Sequence, residues 1–286
     1  MTTSLATETG TLYVVATPIG NREDISARAL AILGKVNLIV AEDTRHSLPL
    51  LSSFGIKTRL ESLHAHNEQE KSKFILEKLL HGMNIALISD AGTPLISDPG
   101  FTLVRLAREH QVPVVPIPGP CAITTALCAA GVPCETFLFH GFLPAKEQAR
   151  KTLLQSLVTL PHTLIFYEST HRIHATLSDL QEIYGRKCEM VLAKELTKSF
   201  ERFVHGTIAD VSDWLSLDPA HRKGEFVLII PPRPAPDQHP EYTHVLSVLL
   251  AEFPLKQAVN LASKLLAAPK NKLYDMALII NEQKKN

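Results

Sequence analysis

The segment Ser89-Asp90-Ala91-Gly92-Thr93-Pro94-Leu95-Ile96-Ser97-Asp98-Pro99-Gly100 follows the apolar run Asn84-Ile85-Ala86-Leu87-Ile88. It places small residues, turn formers and carboxylates where a buried strand ends. Small residues let backbone come close to a ligand, free amides meet a carboxylate, and apolar side chains flank a flat ring. The pattern recurs: 12–16 ends in Thr17-Pro18-Ile19-Gly20-Asn21, and 114–117 ends in Pro118-Gly119-Pro120-Cys121-Ala122. Open α/β sheets bind small molecules beyond the carboxyl ends of their strands, so three such loops predict one shared crevice. The plainer reading is three β-α connections that merely turn the chain.

A second group of residues carries acid, base and charge chemistry. Glu42, Asp43 and Arg45 end one predicted strand, Glu168 and Arg172 follow another, and Lys194 with Glu195 follow a third. From such positions a carboxylate can take a proton and a cation can stabilise the charge left behind. Asp43, Arg45, Glu168, Lys194 and Glu195 are therefore the catalytic candidates. Asp43 with Arg45 reads equally well as an ion pair fixing a loop, and Lys194-Glu195 as a strand's exit to solvent. His64 and His66 are candidates for phosphate or base contact, but read better as surface histidines beside Asn67 at a helix start. Glu225 reads as a strand opener at the cleft. Cys121, Cys128, Cys134 and Cys188 form no Cys-x-x-Cys pair and have no histidine at zinc spacing, so they read as buried thiols, with no metal expected. Gly-x-Gly is absent, which removes the dinucleotide fingerprint and the glycine motif of the common Rossmann methyltransferases; a Walker lysine loop is absent too.

The elements that must hold these residues alternate. Helical periodicity covers 25–33 and 68–80, extended runs cover 36–40 and 84–88, and Pro99 falls in the expected first turn of a helix through Phe101, Leu103, Val104 and Leu106. After Gly131 come an extended Phe137-Leu138-Phe139, helices over 146–157 and 170–183, and strands over 163–167, 189–193 and 226–230. This reads as a second α/β domain. Pro231-Pro232-Arg233-Pro234-Ala235-Pro236 has the character of a semi-rigid polyproline spacer. Beyond it, 245–250, 257–266 and 273–280 read as three short amphipathic helices, too few for a convincing stable domain by themselves.

The chain has 286 residues, 45% of them hydrophobic, which suits about two cores. No apolar run approaches the roughly 20 residues of a membrane span, and Met1-Thr2-Thr3-Ser4 lacks a signal-peptide pattern, so a cytoplasmic location away from membranes is expected. The 29 basic and 29 acidic residues cancel. Between Leu255 and Asn286, however, six lysines face only Asp275 and Glu282. That surplus reads either as a solvated helical face or as a nucleic-acid contact.

Thr17-Pro18-Ile19-Gly20-Asn21, Ala41-Glu42-Asp43-Thr44-Arg45, Ser89 to Gly100, Pro118 to Ala122, Phe166-Tyr167-Glu168-Ser169-Thr170-His171-Arg172 and Lys223-Gly224-Glu225-Phe226 together resemble the ribosomal RNA small-subunit methyltransferase I group of the tetrapyrrole-methylase superfamily. The resemblance runs in order through 11–232 and continues into the helical tail. It implies an α/β class III methyltransferase fold: two tetrapyrrole-methylase-like domains over 11–122 and 123–232, a linker over 233–240 and a small C-terminal helical module over 241–286. It further implies a homodimer that binds S-adenosylmethionine between the α/β domains and methylates the ribose 2′-hydroxyl of a cytidine in small-subunit (16S) ribosomal RNA or the 30S subunit. Carried onto this chain, it assigns Pro18, Asp90, Ala91, Gly92, Thr93, Leu95, Ile96, Pro118, Cys121 and Ala122 to the cofactor. Two other functions stay open at this level. A tetrapyrrole could be the acceptor, since fold does not fix substrate, although a small acceptor needs nothing past Pro236. A metabolite-sensing regulator could read nucleic acid with a helix-turn-helix, although the basic surplus is small and no Arg-rich recognition helix is present.

Overall fold

The computed structural model describes residues 9–232 and 240–283. Among the described residues, 9–158 and 162–232 make one compact unit, and the C-terminal helices belong to another. The first unit contains two five-stranded sheets. The N-terminal sheet is built from β1 (Leu12–Val15), β2 (Leu38–Ala41), β3 (Leu60–Ser62), β4 (Ile85–Ile88) and β5 (Val114–Ile117), all parallel, in the order β3-β2-β4-β1-β5. Its connections carry α1 (Ala27–Leu33), α2 (Thr44–Ser53), α3 (Glu68–Leu80) and α4 (Phe101–Glu109), and α5 (Ala122–Ala129) follows β5. β2 and β4 are buried on both faces, which is why they read as unbroken apolar runs rather than alternating ones. Val40, Ile85 and Leu87 pack under Ile75, Leu79 and Leu103 of α3 and α4, while Ile39, Ala86 and Ile88 pack under Ala29, Leu33 and Leu51 of α1 and α2. Gly100, with φ +128°, occupies the cap of α4, and a Cβ there would meet Leu87 Cδ2 at 2.7 Å. Pro99 thus precedes the cap instead of filling the first turn, because the sharp entry into α4 needs a glycine.

The second sheet contains β6 (Phe137–Phe142), β7 (Thr163–Ser169), β8 (Glu189–Lys194), β9 (Arg202–Thr207) and β10 (Glu225–Ile230), in the order β6-β7-β10-β8-β9. Only β6 and β7 run parallel. Helices α6 (Glu147–Leu157), α7 (Ile173–Tyr184) and α8 (Ile208–Leu217) accompany it. Helix α7 begins three residues later than its periodicity predicts, because Thr170 is committed to a loop: its Oγ1 donates to Gly224 O at 2.8 Å and accepts from Gly224 N at 2.9 Å. Sequence reading passes over β9 and α8. β9 is an edge strand with no fully buried residue, so its hydrophobic signal is weak. Helix α8 did carry a signal, the Thr207/Asp210 capping box, in which Asp210 N donates to Thr207 Oγ1 at 3.2 Å and Thr207 N to Asp210 Oδ2 at 2.8 Å.

In the C-terminal unit, α9 (Pro240–Glu252), α10 (Leu255–Leu266) and α11 (Lys270–Gln283) surround Leu246, Val259, Ala262, Leu273 and Ala277. These helices are longer than expected and share a core of their own. Most of the predicted spacer, residues 233–239, lies outside the described residues. The reading of the cysteines as buried thiols is corrected: Cys128 and Cys134 are exposed, and Cys121 and Cys188 are partly so. Cys128 lies off the face of α5 that buries Ile123, Ala126 and Leu127, and Cys134 lies in the loop beyond that helix. Among the described residues no helix is long and apolar enough to cross a membrane.

Candidate functional site

A cavity of ≈ 500 Å³ lies at the carboxyl ends of β4 and β7. The loop after β4 contributes Asp90, Ala91, Gly92, Thr93, Ile96, Ser97 and Asp98, the start of α5 contributes Cys121 and Ala122, and Ile19 joins them. The second sheet contributes Phe142, Tyr167, Glu168, the 169–171 turn and the start of β10.

Three loops are tied together at this point. Thr17 and Gly92 exchange backbone hydrogen bonds at 2.9 and 3.0 Å, Thr17 Oγ1 donates to Ser89 O at 3.1 Å, and Thr93 Oγ1 donates to Pro120 O at 3.0 Å. Gly92 has φ +81°, a conformation that favours glycine, and a Cβ on it would stand 3.2 Å from Ile19 Cγ2, a contact that Ile19 would have to relieve by a few tenths of an ångström. Leu95 also takes a positive φ of +73°, an uncommon conformation for a bulky residue, and its side chain packs into the core beneath α3 and α4. Of the residues assigned to a cofactor, the structure thus brings Asp90, Ala91, Gly92, Thr93, Ile96, Cys121 and Ala122 to one cavity wall. Pro18 is buried, Leu95 turns into the core and Pro118 is exposed, none of them on that wall.

The charged candidates do not converge. Asp43 and Arg45 sit with Glu42, Ser62, His64 and Asp90 around a separate depression. Asp43 caps α2, accepting from Arg45 N at 2.8 Å and from the guanidinium Nε and Nη2 at 3.1 and 2.7 Å, while the Arg45 side chain is 89% exposed. Those bonds hold the Asp43 carboxyl down at about 2. A carboxylate so stabilised is a weak base. Glu168 lines the cavity, but its buried side chain is committed to Ser169 N at 2.8 Å, Thr176 Oγ1 at 2.6 Å and Arg172 Nε at 3.0 Å. Glu195 Oε1 accepts from Lys198 Nζ at 2.8 Å and Glu225 N at 3.0 Å. Burial pushes its carboxyl up, but the Lys198 and Glu225 hydrogen bonds outweigh that and leave it below its ordinary value. Lys194 is buried at the end of β8, in register with Phe226. Glu225 opens β10 at the cavity, as its sequence suggests. His64 and His66 approach edge to face at 6.1 Å; Asn67 stands at the α3 cap position, but its side chain accepts from His64 N at 2.9 Å and makes no capping bond.

Sequence reasoning did not single out Asp98. Burial, reinforced by the neighbouring Asp90 charge and only partly offset by a hydrogen bond from Ser89, pushes its carboxyl up to about 6. Burial and the charges of Asp98, Asp90 and Asp43 also raise Glu42. The one available signal was a second aspartate, Asp98, in the same loop as Asp90.

One parallel and one mixed α/β sheet, with a crevice walled by Gly/Pro loops at strand ends, belong here to a chain of the tetrapyrrole-methylase class. Residues 11–212 match the family Tetrapyrrole (Corrin/Porphyrin) Methylases, and residues 236–280 match the RsmI C-terminal HTH domain. The fold is similar to that of uroporphyrin-III-C-methyltransferase from Thermus thermophilus, with a TM-score of 0.56 at 16% identity over 77% of this chain and 94% of that one. Within that class, the chain belongs to the ribosomal RNA small subunit methyltransferase I family. It is 52% identical to the Haemophilus influenzae protein of that name over 94% of this chain and 97% of the other, and 51% identical to the Pasteurella multocida protein over 94% and 97%.

Proposed function

We propose that this protein transfers a methyl group from S-adenosylmethionine to the ribose 2′-hydroxyl of a cytidine in small-subunit ribosomal RNA. The observation that carries the reading is the cavity lined from both sheets and walled by the interlocked Gly92, Thr17 and Pro120 loops, in a chain similar to its relatives over nearly their whole length. Its volume suits a nucleoside-sized ligand. The 91–93 backbone and the Asp90 carboxylate suit an amino acid moiety and a cationic centre, and Ile96 and Ala122 suit a flat ring. The bound donor supplies an already activated methyl group. The protein's part is to align the acceptor oxygen, exclude water and take the hydroxyl proton. Asp98 is the cavity carboxylate raised toward neutrality, and we assign it the base role. The exposure of Arg45 supports a role in meeting an RNA phosphate.

The test is incubation with methyl-tritiated S-adenosylmethionine and, separately, 30S subunits, free 16S RNA, DNA and a porphyrinogen. Label in the ribosomal samples, recovered in an alkali-resistant dinucleotide, is the expected result. Label in the porphyrinogen alone would transfer the protein to the tetrapyrrole reading. A homodimer in the cytoplasm goes with this function, and sedimentation of the purified protein measures the first.

Gly92→Asp is expected to abolish cofactor binding in calorimetry, because an L side chain is strained at φ +81° and its carboxylate would fill the wall beside Ile19. Circular dichroism should still report a folded chain. Binding at wild-type affinity would move the cofactor elsewhere.

The C-terminal unit has its own polar groove, where Lys256, Gln257 and Asn260 of α10 face Lys270, Asn271 and Tyr274 of α11. Cations, amides and a phenol suit a nucleic-acid backbone. Lys256→Ala with Lys270→Ala should weaken 30S binding and reduce its salt dependence by about 0.7 to 0.9 log units for each phosphate no longer neutralised, with cofactor affinity unchanged. An unchanged salt slope would remove this surface from the RNA footprint.

A further inference from the structure

The second half of the cavity holds a feature that methyl transfer alone does not explain. β6 pairs with β7 in parallel register as Phe139 with Ile165, then slips, so that Gly141 faces Phe166 and Phe142 faces Tyr167. His140 is the extra residue of a β-bulge, and Gly141 takes φ +79°. In a regular strand Phe139 and Phe142, three residues apart, would point to opposite faces. The bulge instead turns both rings onto Tyr167, with centroids 4.8 and 5.6 Å away and both edge to face. The two rings then fare differently. Phe139 packs against the core of the second sheet, whereas Phe142 lines the cavity and remains 52% exposed.

Arg172 completes the arrangement. Its guanidinium stands 5.8 Å from the Phe142 ring and is fixed by Glu168 Oε1 at 3.0 Å and Leu143 O at 2.8 Å. This accounts for the engagement of Glu168, which accepts three hydrogen bonds and positions Arg172. An exposed aromatic face beside an immobilised guanidinium is the pairing on which proteins stack unstacked RNA bases. Gly141 stands against the cofactor-side loop, since a Cβ on it would lie 3.5 Å from Ser97 Oγ. The platform is therefore built into the rim of the same cavity.

We propose that Phe142, turned into the cleft by the bulge at His140-Gly141 and flanked by Arg172, is the stacking platform that seats an unstacked nucleobase of the RNA acceptor. The proposal rests on the RNA methyltransferase reading above and adds how the acceptor is held. Loss of one base–aromatic stack costs about ten- to a hundredfold in affinity, and every base has a π-face, so the platform fixes position more than sequence.

The experiment compares wild type with Phe142→Ala, Phe142→Leu and Phe142→Tyr in methyl transfer to 30S subunits. Cofactor affinity is measured by calorimetry and oligomeric state by sedimentation on the same samples. KM for the subunit should rise about ten- to a hundredfold in the alanine and leucine variants and return toward wild type with tyrosine. S-adenosylmethionine affinity and sedimentation should not change. Phe142→Leu keeps most of the apolar volume, so it separates stacking from packing if the alanine variant folds poorly. A wild-type KM in Phe142→Leu overturns the proposal. So does a parallel loss of cofactor affinity, which would place the ring against the donor, or a changed sedimentation coefficient, which would place it in a subunit contact. If wild type itself transfers no label to 30S subunits, the functional reading fails, and that outcome is distinct from a variant that leaves an active enzyme unaffected.

Discussion

Asp98→Asn is expected to lower the single-turnover methylation rate about a hundredfold to ten-thousandfold, the usual value of general-base assistance. S-adenosylmethionine affinity should change far less. A ribose hydroxyl is a very weak acid, and a base serves it best when its own proton affinity is as high as possible while it is still ionised at working pH. Asp43, held at about 2 by Arg45, fails the first condition, whereas Asp98, raised to about 6, meets both. The wild-type rate should therefore fall as pH drops through about 6, where Asp98 takes up its proton, and the asparagine variant should lack that limb. With the cationic cofactor bound, the limb should move lower, because a nearby positive charge favours the carboxylate. Stability supplies an independent reading. A carboxyl whose folded pKa lies above its unfolded value costs stability as pH rises from the ordinary carboxylate range to about 6, and the cost persists above it. Asp98→Asn should consequently melt at a higher temperature than wild type at pH 8 while working more slowly. Asp43→Ala and Glu195→Ala should stay near the wild-type rate, since both carboxylates are already engaged. A near-normal rate in Asp98→Asn, with a collapse in Glu195→Ala, would exchange the two assignments.

The parts of this protein that are legible in its sequence are those written in local patterns. β2 and β4 announce themselves as buried apolar runs, and the small, turn-forming residues of the Ser89–Gly100 loop mark what becomes one wall of the cavity. Gly92 takes φ +81°, so the glycine that composition singled out occupies a conformation that favours it. What stays hidden depends on distant residues. Asp98 owes its basicity to burial and to Asp90 across the loop, which no spacing rule encodes. Phe142 lies beyond the extended run Phe137-Leu138-Phe139 that the sequence suggests, and it is the extra residue His140 that sets the face it occupies. Glu168 reads as a candidate base by type, yet Thr176, Ser169 and Arg172 all donate to its carboxylate. Asp43 and Arg45 are the converse case: two residues apart, their pairing is local, and the spacing alone offers the structural reading beside the catalytic one.

Asp179→Ala is expected to destabilise the α/β unit by about 3 to 5 kcal/mol, the cost of stripping one partner from a buried ion pair. Arg150 on α6 and Asp179 on α7 meet at 2.6 Å with side chains only 5% and 6% exposed. Arg150 Nη1 also donates to Pro144 O and Ala145 O, both at 3.2 Å, so the guanidinium fastens the loop after β6 as well as the helix pair. Removing the carboxylate leaves a buried cation that cannot shed its proton, and two carbonyls do not neutralise it. The loss is a large share of the roughly 5 to 15 kcal/mol that a typical protein has. Trp214 in α8 is the sole tryptophan, stacked on His221 at 3.8 Å, so its fluorescence in a urea titration follows this unit without a contribution from the C-terminal helices. The midpoint should fall sharply in Asp179→Ala and recover largely in Arg150→Met/Asp179→Leu, where no charge is left to bury. The recovery separates the two explanations. If the double variant stays as unstable as the single one, the pair's anchoring of the 144–145 loop, rather than the orphaned charge, is what the fold requires. The same loop follows Phe142 and Leu143, so that outcome would also predict a raised KM for the RNA substrate in the double variant, with its cofactor affinity intact.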